Sequence, residues 1–297
     1  MLKDIAFRGK NMYIYFDCIP CFARQSVEAA VMATKDPTLR EKIIRAALKK
    51  ASEIPLNKTP AHMGMEIHRI IRNLIGEVDP YRTIKSVYNK KALALYPEMK
   101  NLVTHASDRI ETAVRIAIAG NVIDFGISPT NNEIELNKII DETMRKPIAV
   151  NDLEELKEAL ENEERILYIA DNAGEIVFDR VFIEEIPRFS ERVTFAVKGQ
   201  AVLNDATLKD AEETDMTGIV RVIDNGSDAP GTILETCSKR FRNEFSQADL
   251  VISKGQGNYE TLSDCGEKCC FLLKAKCPVI AGHFGIEVGD LIIKIAK

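Results

Sequence analysis

From about Pro20 to Gly126, apolar residues recur every three or four positions, the spacing that gathers them on one face of a helix. The pattern predicts helices over Cys21–Thr34 and over Lys35–Glu53, where Asp36 and Pro37 supply a cap and a first-turn proline. It predicts three more: Pro60–Ile75 ended by Gly76, a helix opened by Asp79-Pro80 and running to about Leu95, and Pro97–Ala119 ended by Gly120. SPTNN then reads as a loop and Glu133–Met144 as a helix, after which the rhythm changes. Short β-rich runs alternate with helical ones: Ile166–Ala170, Val193–Val197, Val220–Ile223, Leu250–Ser253 and Cys270–Leu273. Strands alternating with helices predict an α/β fold with a mainly parallel sheet covered on both faces. The expected organisation is a helical domain over 1–130 and an α/β metal- and phosphate-binding domain over 131–297, with no internal repeat.

Composition narrows the function classes. The 297 residues are 45% hydrophobic and 29% charged, a globular profile long enough for one large domain or two ordinary ones. The net charge is −5 and no basic block stands out, so a nucleic-acid partner is not expected. No run approaches the ~18 apolar residues of a membrane span, and the first residues lack a secretory pattern. No membrane partner and a cytoplasmic location are therefore expected. Seven cysteines, an odd number, point to reduced thiols.

In an open α/β sheet, ligands bind beyond the carboxyl ends of the strands. Each predicted strand delivers polar groups there: Asp171-Asn172-Ala-Gly174-Glu175; Lys198-Gly199, then Asn204-Asp205; Asp224-Asn225-Gly226; Lys254-Gly255-Gln-Gly-Asn258; and Lys274. Asp and Asn offer hard oxygen ligands suited to Mg²⁺ or Mn²⁺. Asp171, Asn172 and Asp205 would form an incomplete shell that water and a phosphate oxygen complete. Lysines at strand ends can neutralise phosphate, and the glycines of KGQGN let backbone amides approach an anion. A helix starting near Gly174 would aim its positive end at the same place.

Plainer readings exist for each piece. Asp-Asn-Ala-Gly is a good turn, Asn204-Asp205 could cap ATLKDAEE, and KGQGN has neither the Walker spacing nor GxGxxG. Cys18-Ile-Pro-Cys21 is a CxxC at a helix start; a plain thiol pair is the default, and half of a zinc site completed by Cys265 with Cys269 or Cys270 is the sharper reading. Asn121 and Asp124 in AGNVIDFG could be a helix end or could reach the site from the helical region. The four histidines are scattered without metal spacing, and none is assigned.

These segments together resemble the metal-dependent damage-control phosphatases, formerly domain-of-unknown-function family 89, in their compact CxxC-containing prokaryotic branch. The matching pieces are FDCIPCFARQ at 16–25, DPYRTIK at 79–85, AGNVIDFG at 119–126, ADNAGEIVFD at 170–179, LNDAT at 203–207, SKGQGNYE at 253–260 and LLKAKC at 272–277. The resemblance implies a helical N-terminal domain on a three-layer α/β/α, Rossmann-like domain. It implies a divalent metal (Mn²⁺, Ni²⁺, Co²⁺ or Mg²⁺), with the family's metal pair falling on Asp171 and Asn172, its third ligand on Asp205 and its glycine-loop lysine on Lys254. The implied substrates are small phosphorylated metabolites, sugar phosphates or damaged nucleotides. A eukaryotic branch with a C-terminal RTxK motif was linked to carboxyl methylation; RTIK at 82–85 lies in the helical region and carries no weight as that motif.

The expected activity is metal-assisted phosphomonoester hydrolysis. Lys254 would stabilise phosphoryl charge and Glu175 would serve as general base. Asn204, Gly255, Asn258, Lys274, Asn121 and Asp124 would contact substrate. The alternatives are S-adenosylmethionine-dependent methyl transfer without a metal, and a non-catalytic nucleotide-binding module.

Overall fold

The computed structural model describes residues 12–76, 79–122, 133–266 and 268–296. The first five helices are α1 (Cys18–Ala33), α2 (Pro37–Glu53), α3 (Pro60–Ile75), α4 (Arg82–Thr104) and α5 (Arg109–Val122). Asp36 caps α2 by accepting from the Thr38 amide at 2.9 Å, with Pro37 in the first turn as expected. Two boundaries differ from expectation. Pro97 lies inside α4, which continues to Thr104, so the break falls at 105–108. Gly120 lies within α5 and does not end it. It is a crossing point: a Cβ there would come within 2.9 Å of Phe178 Cβ on a neighbouring helix.

The second half contains α6 (Glu133–Arg145), β1 (Ile148–Asn151), α7 (Leu153–Asn162), β2 (Ile166–Ile169), α8 (Glu175–Ile183), α9 (Phe189–Arg192) and β3 (Val193–Val197). It continues with α10 (Leu208–Glu213), β4 (Arg221–Asp224), α11 (Lys239–Gln247), β5 (Leu250–Lys254), α12 (Gln256–Leu262), β6 (Cys269–Lys274), α13 (Pro278–Phe284) and β7 (Leu291–Ile295). All five expected strands are present. Two more, β1 and β7, extend the sheet to the order β1-β7-β6-β5-β2-β3-β4. Strands β6, β5, β2, β3 and β4 run parallel; β7 is antiparallel to β6 and carries β1 parallel beside it.

Strand alternation sends side chains to two cores. Tyr168, Phe195, Ile252 and Leu272 face α4, α5 and α8, whose Tyr88, Val114 and Phe178 belong to the same apolar cluster. Leu167, Ile169, Val251 and Phe271 face the other side, with Phe241 of α11 and Ile280 of α13. Helices α1–α3 bury a smaller cluster of their own around Phe22, Ile43 and Ile67. The sheet order gives the site its place. From β2 the chain moves outward to β3 and β4, then returns to the other side of β2 for β5 and β6. Loops leaving β2 and β5 therefore part in opposite directions, opening the crevice where α/β sheets bind ligands.

Candidate active site

Asp171 and Asn172 follow β2 directly, and the loop after β3 folds back onto them. Ala206 donates its amide to the Asp171 carbonyl at 2.8 Å, and the Ala173 amide donates to the Asn204 carbonyl at 2.8 Å. This antiparallel bridge sets Asp205 against Asn172. Leu203 turns the loop with φ +47°, a left-handed conformation that a leucine adopts at a cost of roughly 1 kcal/mol. From the opposite side Gly255 (φ +80°) closes on Asp171 so tightly that a Cβ would lie 1.9 Å from its Oδ2. Asn121 comes from α5 and donates to Asp171 Oδ2 at 2.8 Å and to Glu175 Oε2 at 3.2 Å. Asn172 Nδ2 donates to the same two oxygens at 3.0 and 2.9 Å.

The group is short of positive charge. Burial first, then the charges of Glu175 and Asp205, push the Asp171 carboxyl up to about 8, with Lys276 and Lys198 offsetting part of the rise. Asp205 is also raised by burial against the pull of Lys198 and Lys85. Lys198 Nζ lies 3.4 Å from Asp205 Oδ2, but its hydrogen bond goes to the Gly231 carbonyl. Asp205 Oδ2 and Asn121 Oδ1 are buried with no hydrogen-bond partner.

Two crowded carboxylates, two carboxamides and two unpartnered oxygens form a donor set that fits a hard divalent cation. Among the described residues no three His, Cys, Asp or Glu side chains gather as a metal cage. The carboxamides of Asn172 and Asn121 stand against the Asp171 carboxylate, 3.0 and 2.8 Å from its Oδ2. Asn121, expected on the substrate, instead touches Asp171.

Lys254 and Glu175 sit differently from expectation. Lys254 is fully buried beneath the crevice, donating to the Ala117 carbonyl at 2.9 Å, to Glu175 Oε1 at 2.7 Å and to Asp179. An ammonium has three donors, and all are engaged inside the protein. Burial works against its charge, but Asp179 and Glu175 outweigh burial and hold it up to about 12. Glu175 is buried too; Lys254 overcomes the burial penalty and keeps its carboxyl below the usual range. Lys254 is therefore a strut that fixes Glu175, which in turn receives Asn121 and Asn172. Neither residue is free to meet a phosphate or a water in the crevice.

Asn258 is buried as well. It donates to the Ala170 and Lys254 carbonyls at 3.0 and 2.7 Å, stapling the ends of β2 and β5. Lys274 lies beside Gly289, outside the crevice, whereas Lys276 lines it. Asn204 lines it with Asp171, Asn172 and Asp205. Asp124 lies outside the described residues.

The crevice is a cavity of about 360 Å³ whose far wall is α1. Cys18, Cys21, Phe22, Gln25, Glu28 and Met32 face it at helical spacing. The zinc alternative does not match this arrangement. Cys265 and Cys269 are joined in a disulfide, against the expectation of reduced thiols throughout, and Cys270 is buried in β6. The thiols that share the cavity are Cys18, Cys21 and Cys277, and burial pushes Cys18 up to about 11.

Several residues escaped the sequence reading. Lys85, fully buried, donates to the Asp205 carbonyl at 3.3 Å and pairs with Asp79 at 2.9 Å and Asp210 at 3.1 Å. Asn89 accepts from the Gly174 amide at 2.7 Å and donates to Asp210 at 3.1 Å. Arg82 also pairs with Asp210. The signal was the i, i+3, i+7 spacing of Arg82, Lys85 and Asn89, which puts all three on one face of α4.

Comparison with known proteins agrees with this fold. Residues 14–292 match the family model described as damage-control phosphatase ARMT1-like domain. Protein MJ0202 of Methanocaldococcus jannaschii is 38% identical over 302 residues, covering 99% of each chain. Damage-control phosphatase PH1575 of Pyrococcus horikoshii is 35% identical over 286 residues, covering 95% of this chain and 97% of its own. The crystal structure of that Pyrococcus protein, a DUF89 family member, superimposes with a TM-score of 0.87 at 33% sequence identity, covering 97% of this chain and 100% of its own. The chain belongs to the damage-control phosphatase ARMT1-like family.

Proposed function

We propose that this protein is a metal-dependent phosphomonoester hydrolase acting on small metabolites, sugar phosphates or damaged nucleotides. The observation that carries the reading is the set of buried oxygens at the β2/β5 switch point, two of them unpartnered, around an Asp171 carboxyl that burial and its neighbours disfavour as an anion. Asp171, Asn172 and Asp205 hold the cation, with Asn121 beside them. The divalent cation (Mn²⁺, Ni²⁺, Co²⁺ or Mg²⁺) supplies Lewis-acid polarisation of a phosphoryl oxygen.

The chain's own residues do the rest. Lys276 faces the cavity and brings positive charge to a bound phosphate. Asn204 offers a carboxamide on the same wall. Lys254 and Glu175 hold Asn172 and Asn121 in position from below. The apolar and polar groups of α1 enclose the organic part of the substrate and exclude water around it. The family membership and the name of the Pyrococcus relative support a phosphatase reading over methyl transfer or passive binding.

The test is release of phosphate from an aryl phosphate after chelation, and again after each metal is restored. Chelated protein is expected to be inactive and Mn²⁺ or another divalent ion to restore it. Asp171→Ala and Asp205→Ala are expected to lose activity on the order of 100-fold or more. Full activity in the chelated protein, or in either variant, would overturn the ligand assignment.

A further inference from the structure

We propose that Glu260 is the general acid of this site, protonating the leaving oxygen of the substrate as the bond to phosphorus breaks. The inference rests on the phosphatase reading above and fills a role that reading leaves empty.

Five carboxylates among the described residues line the cavity: Asp17, Glu28, Asp171, Asp205 and Glu260. Asp171 and Asp205 belong to the cation's donor set. Asp17 and Glu28 stand exposed at the outer rim. Glu260 is the half-buried one, set inward on α12. That helix starts at Gly255, which touches Asp171, and Glu260 lies five residues on, roughly 7 Å along the axis. Glu260 and Asp171 line the same cavity.

The carboxyl is aimed. Gln256, one turn earlier, donates to Glu260 Oε1 at 2.9 Å, and its own amide oxygen accepts from the Lys276 backbone at 3.1 Å. One side chain thus ties the acid to the segment carrying the phosphate-facing lysine. Burial pushes the Glu260 carboxyl up to about 7, so about half of it carries a proton at neutral pH. Around it, Cys18 from α1 and Cys277 before α13 have thiols raised by burial and by Glu260 itself, and Lys276 lies beside Cys277. Glu260 also borders a second cavity of about 330 Å³, where His62, Glu235 and Asp264 line the far side.

The step balances. Water forms the new bond to phosphorus and releases a proton. The bond to the leaving oxygen breaks, its electron pair stays on that oxygen, and the Glu260 proton moves there. The proton released by water restores Glu260. The net reaction is phosphomonoester plus water giving alcohol plus inorganic phosphate.

A general acid matters most when the leaving group is a poor one. Steady-state kcat is therefore measured for glycerol 2-phosphate, an alkyl ester, and for p-nitrophenyl phosphate, whose phenolate leaves unaided. In Glu260→Gln the ratio of alkyl to aryl kcat is expected to fall by about 100-fold, and Glu260→Asp to recover part of it. Equal losses on both esters, at a Tm near that of the wild type, would leave Glu260 a structural role and overturn the proposal. So would an unchanged ratio in Glu260→Ala, the second variant should the glutamine protein fold poorly. A wild-type protein that hydrolyses neither ester would sink the phosphatase reading and the general acid together.

Discussion

At Gly255 the backbone occupies a place that no side chain can share. Its φ is +80° and a Cβ would meet the Asp171 carboxylate at 1.9 Å. Gly255→Ala is therefore expected to push Asp171 off its partners, weakening Mn²⁺ affinity at least about tenfold in calorimetric titration. Unchanged affinity would show that this contact does not shape the site. Asp171 and Asn172 were legible because they stand where the apolar run of β2 gives out, and Asp205 because it is a carboxylate in the loop that follows β3. Lys254 misled for the same reason. It too ends a strand, but as a β5 residue its side chain points into the α5 and α8 face, and sequence does not say which way a terminal strand residue turns. Lys276 is two residues past β6, where no periodicity marks it, so Lys274 stood in its place.

Helix α4 grips the site from outside the sheet. Lys85 holds the Asp205 carbonyl, Asn89 holds the Gly174 amide, and both meet at Asp210. Lys85→Met removes the cation from a buried acidic cluster, which is expected to destabilise the fold by roughly 3 kcal/mol. It also frees the Asp205 loop, so metal affinity is expected to fall by about 10–100-fold. Thermal melts and metal titration below the new Tm check both, and a loss of stability without a loss of affinity would separate Lys85 from the site. The five inner strands were readable from their apolar runs between helices. Edge strands β1 and β7 were not: β1 is a four-residue strand whose positions alternate between half-buried and exposed, and β7 follows a reversal that breaks the β–α alternation. Pro97 was read as a start and lies mid-helix, because packing of Leu95, Met99 and Val103 into the core carries α4 through it.

Across the whole molecule, α3 is fastened to the loop after β4 by Asp228. Arg69 grips it through two bonds of 2.8 Å, and Arg72 adds a third. Burial raises the Asp228 carboxyl, but Arg69 and Arg72 outweigh it and hold it below the usual range. A depressed carboxyl stabilises the fold above the unfolded value near pH 4 and loses that contribution as pH falls through the folded value. Arg69 is partly exposed, so the pairing is discounted to about 1 kcal/mol. Asp228→Asn is expected to lower Tm by about 2–4 °C at pH 7, with the gap to wild type closing below about pH 4. A gap that stays constant with pH would remove the ion pair as its cause.

The same cross-ties decide what can be taken apart. Asn121 reaches Asp171 from α5, Lys85 and Asn89 reach the loops from α4, and Tyr88 and Val114 share an apolar cluster with Tyr168 and Phe178. A fragment cut near residue 130 would look from its strands like a self-sufficient unit. It would lack the carboxamide that meets Asp171, two anchors and the cover over one face of its own sheet. The strand-bearing half of this chain is therefore not portable: grafting or trimming must carry α4 and α5 along, because the crevice was never enclosed within the strands that display it.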